Sequence, residues 1–147
     1  MYRKPAIVPA VLVALFAMAA NVFSTELDDD PQIAAAAQGR RLYLENCAGC
    51  HGEALEGQPQ WRERLPNGRM PAPPHDETGH TWHHSDEQLF RITHDGVAAI
   101  VGGDYQSDMP AFGGTMTDSE ILAVLDYIKS TWPERERDYQ AQRSQQR

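Results

Sequence analysis

Three side chains within five residues are equipped for chemistry: Cys47, Cys50 and His51, in Cys47-Ala48-Gly49-Cys50-His51. They stand at i, i+3 and i+4, so on a helical turn they project from one side. The chain of 147 residues has two cysteines in all, which narrows what this trio can do. A structural zinc site wants four ligands, typically a second cysteine pair, and there is none. A disulfide closed over two intervening residues removes little chain entropy and is a poor staple. A thioredoxin-like redox pair goes with alternating strands and helices, and strand signals are almost absent here. Haem attachment remains. Two thiols add to the vinyl groups of a haem while the imidazole reaches iron from below the ring, which is the physical content of C-x-x-C-H.

The elements that must position these residues are helical. Asp30 followed by Pro31 reads as an N-cap and first helical residue, opening a helix over about 31–46. Gly39 sits in its middle at a cost of about 1 kcal/mol relative to alanine, easiest to justify if another helix crosses closely. Residues 52–80 hold five prolines and little periodicity, a long loop that needs something to pack on, such as a prosthetic group. Ser85 with Gln88 is a capping box for a helix over about 86–94 that stops at Gly96, with Leu89, Phe90 and Ile92 inward. Val97 to Gly114 reads as a second loop, containing Met109-Pro110. Thr117 with Glu120 caps the last helix, about 118–131, which has Met116 and Ile121 at staple positions. Ile121, Leu122, Val124, Leu125 and Ile128 form its apolar side, and Pro133 ends it. The fold class is all-α with long loops. The helical domain spans 31–132, and 133–147 is a charged, glutamine-rich polar tail expected as a solvated helix or frayed end.

Taken together, these residues resemble the small monohaem cytochrome c family over about residues 31–132. The resemblance is carried by Gly39 and Tyr43 ahead of the Cys47–His51 motif and Gly52. It continues in Met109-Pro110-Ala111-Phe112-Gly113-Gly114 before Thr117-Asp118-Ser119-Glu120-Ile121, and in Val124-Leu125-Asp126-Tyr127-Ile128-Lys129-Ser130. It implies a helical domain wrapped around one covalent haem c, with the first and last helices crossing where Gly39 receives the Tyr127 region. It also implies Met109 as the iron ligand opposite His51, a thioether that favours reduced iron and raises the potential. On the residues alone Met70, in the proline-rich loop, is the rival; Met1 and Met18 lie in the leading apolar segment and Met116 serves the helix staple. A ligating histidine donates its other ring N–H to a carbonyl, for which the family uses a proline soon after the motif. Pro59, in a segment one residue longer than the family pattern, is the match. With both axial positions filled the expectation is a one-electron carrier with no catalytic residue, not an enzyme. An alternative is the electron-delivery subunit of a larger periplasmic or membrane oxidoreductase, or a peroxidase if iron were five-coordinate.

His75, His80, His83 and His84 form a dense run, with His94 later. A copper-binding module built on them is a third reading, since imidazole suits copper and zinc. The preferred reading is that they line the loop near haem, with no second metal. Arg62, Arg64 and Arg69, with Trp61 and Trp82, offer donors for haem propionates.

Arg3 and Lys4 precede an apolar run from Ala6 to Phe23, the pattern of an export signal with a small-residue cleavage site near Ala19. Its 18 residues also reach the lower limit of a membrane anchor. Residues 1–23 are thus a signal peptide or an uncleaved anchor, and 24–30, with Asp28-Asp29-Asp30, an acidic linker. Either places the rest outside the cytoplasm, in the periplasm, soluble or held to the membrane through residues 6–23. The formal net charge is −8, and −10 once Arg3 and Lys4 leave with the signal. Nucleic acid is an improbable partner for such a chain; redox proteins are the expected ones, their identities open.

Overall fold

The computed structural model describes residues 31–146. The expectations for the export segment 1–23, the linker 24–30 and the Asp30 cap lie outside the described residues. Helix α1 runs Pro31–Asn46, and a single turn, α2, covers Ala48–His51. A 3₁₀ turn at Thr81–His83 ends the long proline-rich loop. Then come α3 (Asp86–Asp95), α4 (Val97–Val101), α5 (Asp118–Ser130) and α6 (Glu134–Gln145). No strand occurs among the described residues, and from Ala35 onward they form one unit.

The two capping boxes form as the sequence predicts. Ser85 accepts from the Gln88 amide and Gln88 reaches back to the Ser85 N–H, opening α3. Thr117 and Glu120 do the same for α5. Each box satisfies two helix-end donors that would otherwise need water. Helix α3 stops at Gly96, whose φ of 84° suits a residue without Cβ.

The core joins Leu42 and Tyr43 of α1 to Ile121, Val124, Leu125 and Ile128 of α5, with Leu55, Leu89, Phe112, Met116 and Trp132 around them. Helix α3 packs on both α5 and α6. Leu122, expected on the apolar side of α5, is exposed. At the crossing of α1 and α5 a Cβ on Gly39 would overlap the Ala123 carbonyl oxygen and lie 3.0 Å from Tyr127 Cβ. The helix-propensity cost of this glycine is therefore the condition for close contact. Gly39→Ala regains about 1 kcal/mol of propensity but forces apart two backbones. We expect a net loss of about 1–3 kcal/mol in denaturant unfolding; unchanged stability would contradict so tight a crossing.

Two parts of the chain depart from expectation. Val97–Val101, read as loop, is a five-residue helix. The segment from 133, read as a polar tail, is helix α6 packed on the 3₁₀ turn and α3. Glu136 and Gln140 are buried. Gln140 Nε2 donates to the His84 carbonyl (3.3 Å) and to Asp86 (2.9 Å), and Ser144 Oγ accepts from the Asp86 amide (2.9 Å). Polar side chains make this interface by hydrogen bonding, so an apolar periodicity could not announce it.

Candidate haem site

Helix α1 continues almost directly into α2, so the motif is a helical turn with its backbone paired. The amides of Cys50 and His51 both donate to the Cys47 carbonyl, at 3.1 and 2.9 Å. Cys47, Cys50 and His51 all line one cavity of about 750 Å³, within the roughly 300–1,000 Å³ of pockets that enclose organic ligands. Val124, Leu125 and Ile128 of α5 and Leu89 and Ile92 of α3 give it an apolar wall. Cys50 is exposed and Cys47 partly covered. Burial, then the neighbouring Cys50, pushes the Cys47 thiol up to about 11, so it stays protonated at neutral pH.

His51 is buried, and its Nδ1 lies 2.8 Å from the Pro73 carbonyl oxygen. A carbonyl only accepts, so Nδ1 carries the proton and Nε2 keeps its lone pair for a metal. Desolvation lowers the imidazole's affinity for a second proton, opposed in part by the Pro73 bond. Desolvation favours the neutral form, and the Pro73 bond orients the ring.

The carbonyl was expected from Pro59, and that assignment is corrected to Pro73. The cause is the path of the loop. The Gly57 amide bonds the His51 carbonyl (2.8 Å), and the Gln58 amide then bonds Ala72 O (2.9 Å). Gln58 Oε1 in turn accepts from the Ala72 amide (2.8 Å). The returning stretch 71–74 is thereby laid beside 57–58. Gly57, with φ of 68°, has Pro73 and Pro74 where a Cβ would stand. Pro73, not Pro59, ends under the imidazole.

Behind His51 stands His75, rings stacked with centroids 3.9 Å apart. The Thr81 hydroxyl is placed to donate to Pro74 O (3.4 Å) and lies 2.8 Å from His75 Nδ1, which is then the donor. The Trp132 indole donates to the His75 carbonyl at 2.6 Å. Desolvation, His51 and His80 hold the His75 imidazole well below its ordinary range. Sequence reasoning left His75 unassigned; its role comes from a contact 24 residues away along the chain.

Met109 also lines the cavity, its amide donating to Ser107 Oγ (3.1 Å). The loop after it is tied to the end of α3 by Phe112 N–H to Thr93 O and Gly113 N–H to His94 O, both 3.0 Å. Before it, Asp108 pairs with Arg69 from the other loop. Met70 reaches the same cavity, whereas Met116 is a buried core residue, as its staple position implies.

Of the histidine run, His83 alone does not line the cavity. His80 and His84 line the cavity, and His83 packs against Trp82 and Tyr139. Among the described residues no three His, Cys, Asp or Glu side chains are grouped so as to hold a metal ion. The donors that do converge suit a covalently held haem: two thiols, an imidazole with a free Nε2, and a thioether. One buried donor, Trp82 Nε1, has no acceptor among the described residues.

Comparison with known proteins gives the same answer. Residues 36–132 match the family model for cytochrome c. The Cbb3-type cytochrome c oxidase subunit FixP of Bradyrhizobium sp. is 29% identical over 109 residues, 71% of this chain and 34% of that one. The subunit of the same name from Azorhizobium caulinodans is 26% identical over 113 residues, 76% of this chain and 35% of its own length. The chain thus spans about a third of the length of these curated relatives. No solved structure matches. With two thirds of the chain inside the family model, this protein belongs to the cytochrome c family of covalent-haem electron-transfer proteins.

Proposed function

We propose that this chain is a one-electron carrier in which Cys47 and Cys50 hold a single haem c and His51 and Met109 occupy the two axial positions of iron. The observation that carries the reading is the neutral His51 imidazole, donating to the Pro73 carbonyl on the cavity wall that also bears Cys47, Cys50 and, from the other loop, Met109. The haem supplies reversible ferric–ferrous exchange. The protein orients the axial ligand, surrounds the group with apolar side chains and keeps water from it, which tunes the potential. Expression with haem-maturation machinery tests this. The intact mass should equal polypeptide plus one haem, and the ferrous protein should bind carbon monoxide slowly. A haem-free mass or rapid binding would count against a closed, six-coordinate carrier.

The likeness to the oxidase subunit FixP favours a second reading, that the carrier works as the electron-delivery part of a larger oxidoreductase. Affinity purification of the full chain from native membranes should then co-elute oxidase activity; elution alone would argue for a free carrier. The same intact mass reads whether the chain, which we place outside the cytoplasm, is cleaved near Ala19 or keeps residues 6–23 as an anchor. No helix among the described residues is long and apolar enough to cross a membrane.

A further inference from the structure

Two sets of polar groups stand out on the cavity wall. Asn46 donates to Leu42 O, Gln58 accepts from the Ala72 amide, Ser107 serves the Met109 amide and Asp108 pairs with Arg69. These already have protein partners. The second set gathers in one corner: Trp61, Arg62, His80 and His84, all lining the cavity. The Trp61 and His80 rings stack with centroids 5.3 Å apart and planes 8° from parallel. His84 meets His80 edge-on at 5.4 Å, and the Arg62 guanidinium carbon lies 4.1 Å from the Trp61 ring centroid.

Every member of this corner is a hydrogen-bond donor or a cation, and no carboxylate answers them. Among the described residues Arg62, His80 and His84 belong to no ion pair. The positively charged forms of these groups disfavour one another. Partial burial, then His84, His83 and Arg62, lower the proton affinity of His80. Burial and His83 lower that of His84, against a hydrogen bond with Gln88 and with a smaller contribution from Arg143. Such a concentration of donors is unfavourable until an anion joins it.

The backbone holds the corner in place from outside. Arg143 Nε donates to the His83 carbonyl (3.3 Å) and Gln140 to that of His84, while Trp82 packs edge-on against Tyr139 at 5.3 Å. Helix α6 thus braces the 3₁₀ turn. The groups facing the two imidazoles are Arg62 from the loop, His75 and His83 from their own stretch, Gln88 from α3 and Arg143 from α6. The Asp86 carboxylate, next in sequence, is engaged by Lys129 and Gln140.

We propose that Trp61, Arg62, His80 and His84 form the carboxylate-binding corner of the cavity, receiving the propionates of the haem, and that His80 and His84 thereby couple reduction to proton uptake. The proposal rests on the haem reading above. One electron from an external donor enters the protein; the added negative charge raises the proton affinity of the imidazoles, and one proton is taken from solvent. Protonation favours the reduced state, so the potential falls as pH rises through the histidine range.

The test uses full-length holoprotein. Intact mass and axial-ligand spectrum are recorded first, because they report on the haem reading alone. The potential is then measured across the window of about pH 5 to 8 in which histidines titrate. We expect a fall with rising pH in the wild type and a flat profile in His80→Asn/His84→Asn. Arg62→Gln should lower the potential throughout and keep the slope. If the double variant does not mature, each single histidine variant should reduce the slope. A flat wild-type profile, or a His80→Asn/His84→Asn variant with the wild-type slope, overturns the proposal. The propionate carbon resonances of isotopically labelled haem should titrate with the imidazoles in the wild type and lose that step in the double variant. A slope that appears only on adding acetate would mean the corner takes a free carboxylate, which also overturns it.

Discussion

Alanine at both Cys47 and Cys50 should yield a chain that carries no covalent haem: its intact mass is that of the polypeptide, and haem no longer travels with it under denaturing conditions. Each thioether forms by adding one thiol S–H across one vinyl group, so each single variant should keep one link. The two cysteines and His51 line the same cavity, which is large relative to the core around it. Emptying it takes contact partners from Leu89, Val124, Leu125 and Ile128 together. Emptied core sites cost about 3–5 kcal/mol each, and a loss of at least that size is expected in denaturant unfolding against the wild-type holoprotein. A double variant that retains haem after denaturation would show that another group makes the bond.

Met109→Ala should keep covalent haem yet lose the spectral signature of a methionine ligand, bind carbon monoxide readily when ferrous, and show a potential lower by more than about 0.1 V. Axial ligands move haem potentials over a span of about 0.8 V, so a shift of that size is moderate. The thioether stabilises ferrous iron; replacing it by water or an adventitious nitrogen stabilises ferric iron. Because Met70 reaches the same cavity, Met70→Ala is the necessary partner experiment and should leave the signature in place. Loss in the Met70 variant with retention in the Met109 variant would exchange the two assignments.

Much of the architecture was legible because its causes are local. Cys47, Cys50 and His51 act through i, i+3 and i+4 geometry, which any helical turn supplies. The boxes Ser85/Gln88 and Thr117/Glu120 close within four residues. Gly39 was informative for a different reason: a residue unfavourable in its own helix signals an outside contact, and Ala123 supplies it. The Val97–Val101 helix was missed because a short apolar stretch bounded by glycines has no period to detect. The packing of α6, expected as a solvated helix or frayed end, was missed because its buried residues, Glu136 and Gln140, are polar.

By itself, then, the sequence determined the chemistry of attachment, the helical class, the starts of α3 and α5 and a close helix contact at Gly39, all matters of spacing within a few residues or of one costly glycine. The tertiary structure alone decided which proline carbonyl holds His51 and which side chain backs its ring. It also decided that His80 and His84 turn toward the same cavity while His83 does not. Those outcomes depend on how a long loop returns on itself, through backbone bonds such as Gln58 to Ala72 that any residue types could make. Local spacing carries no record of them.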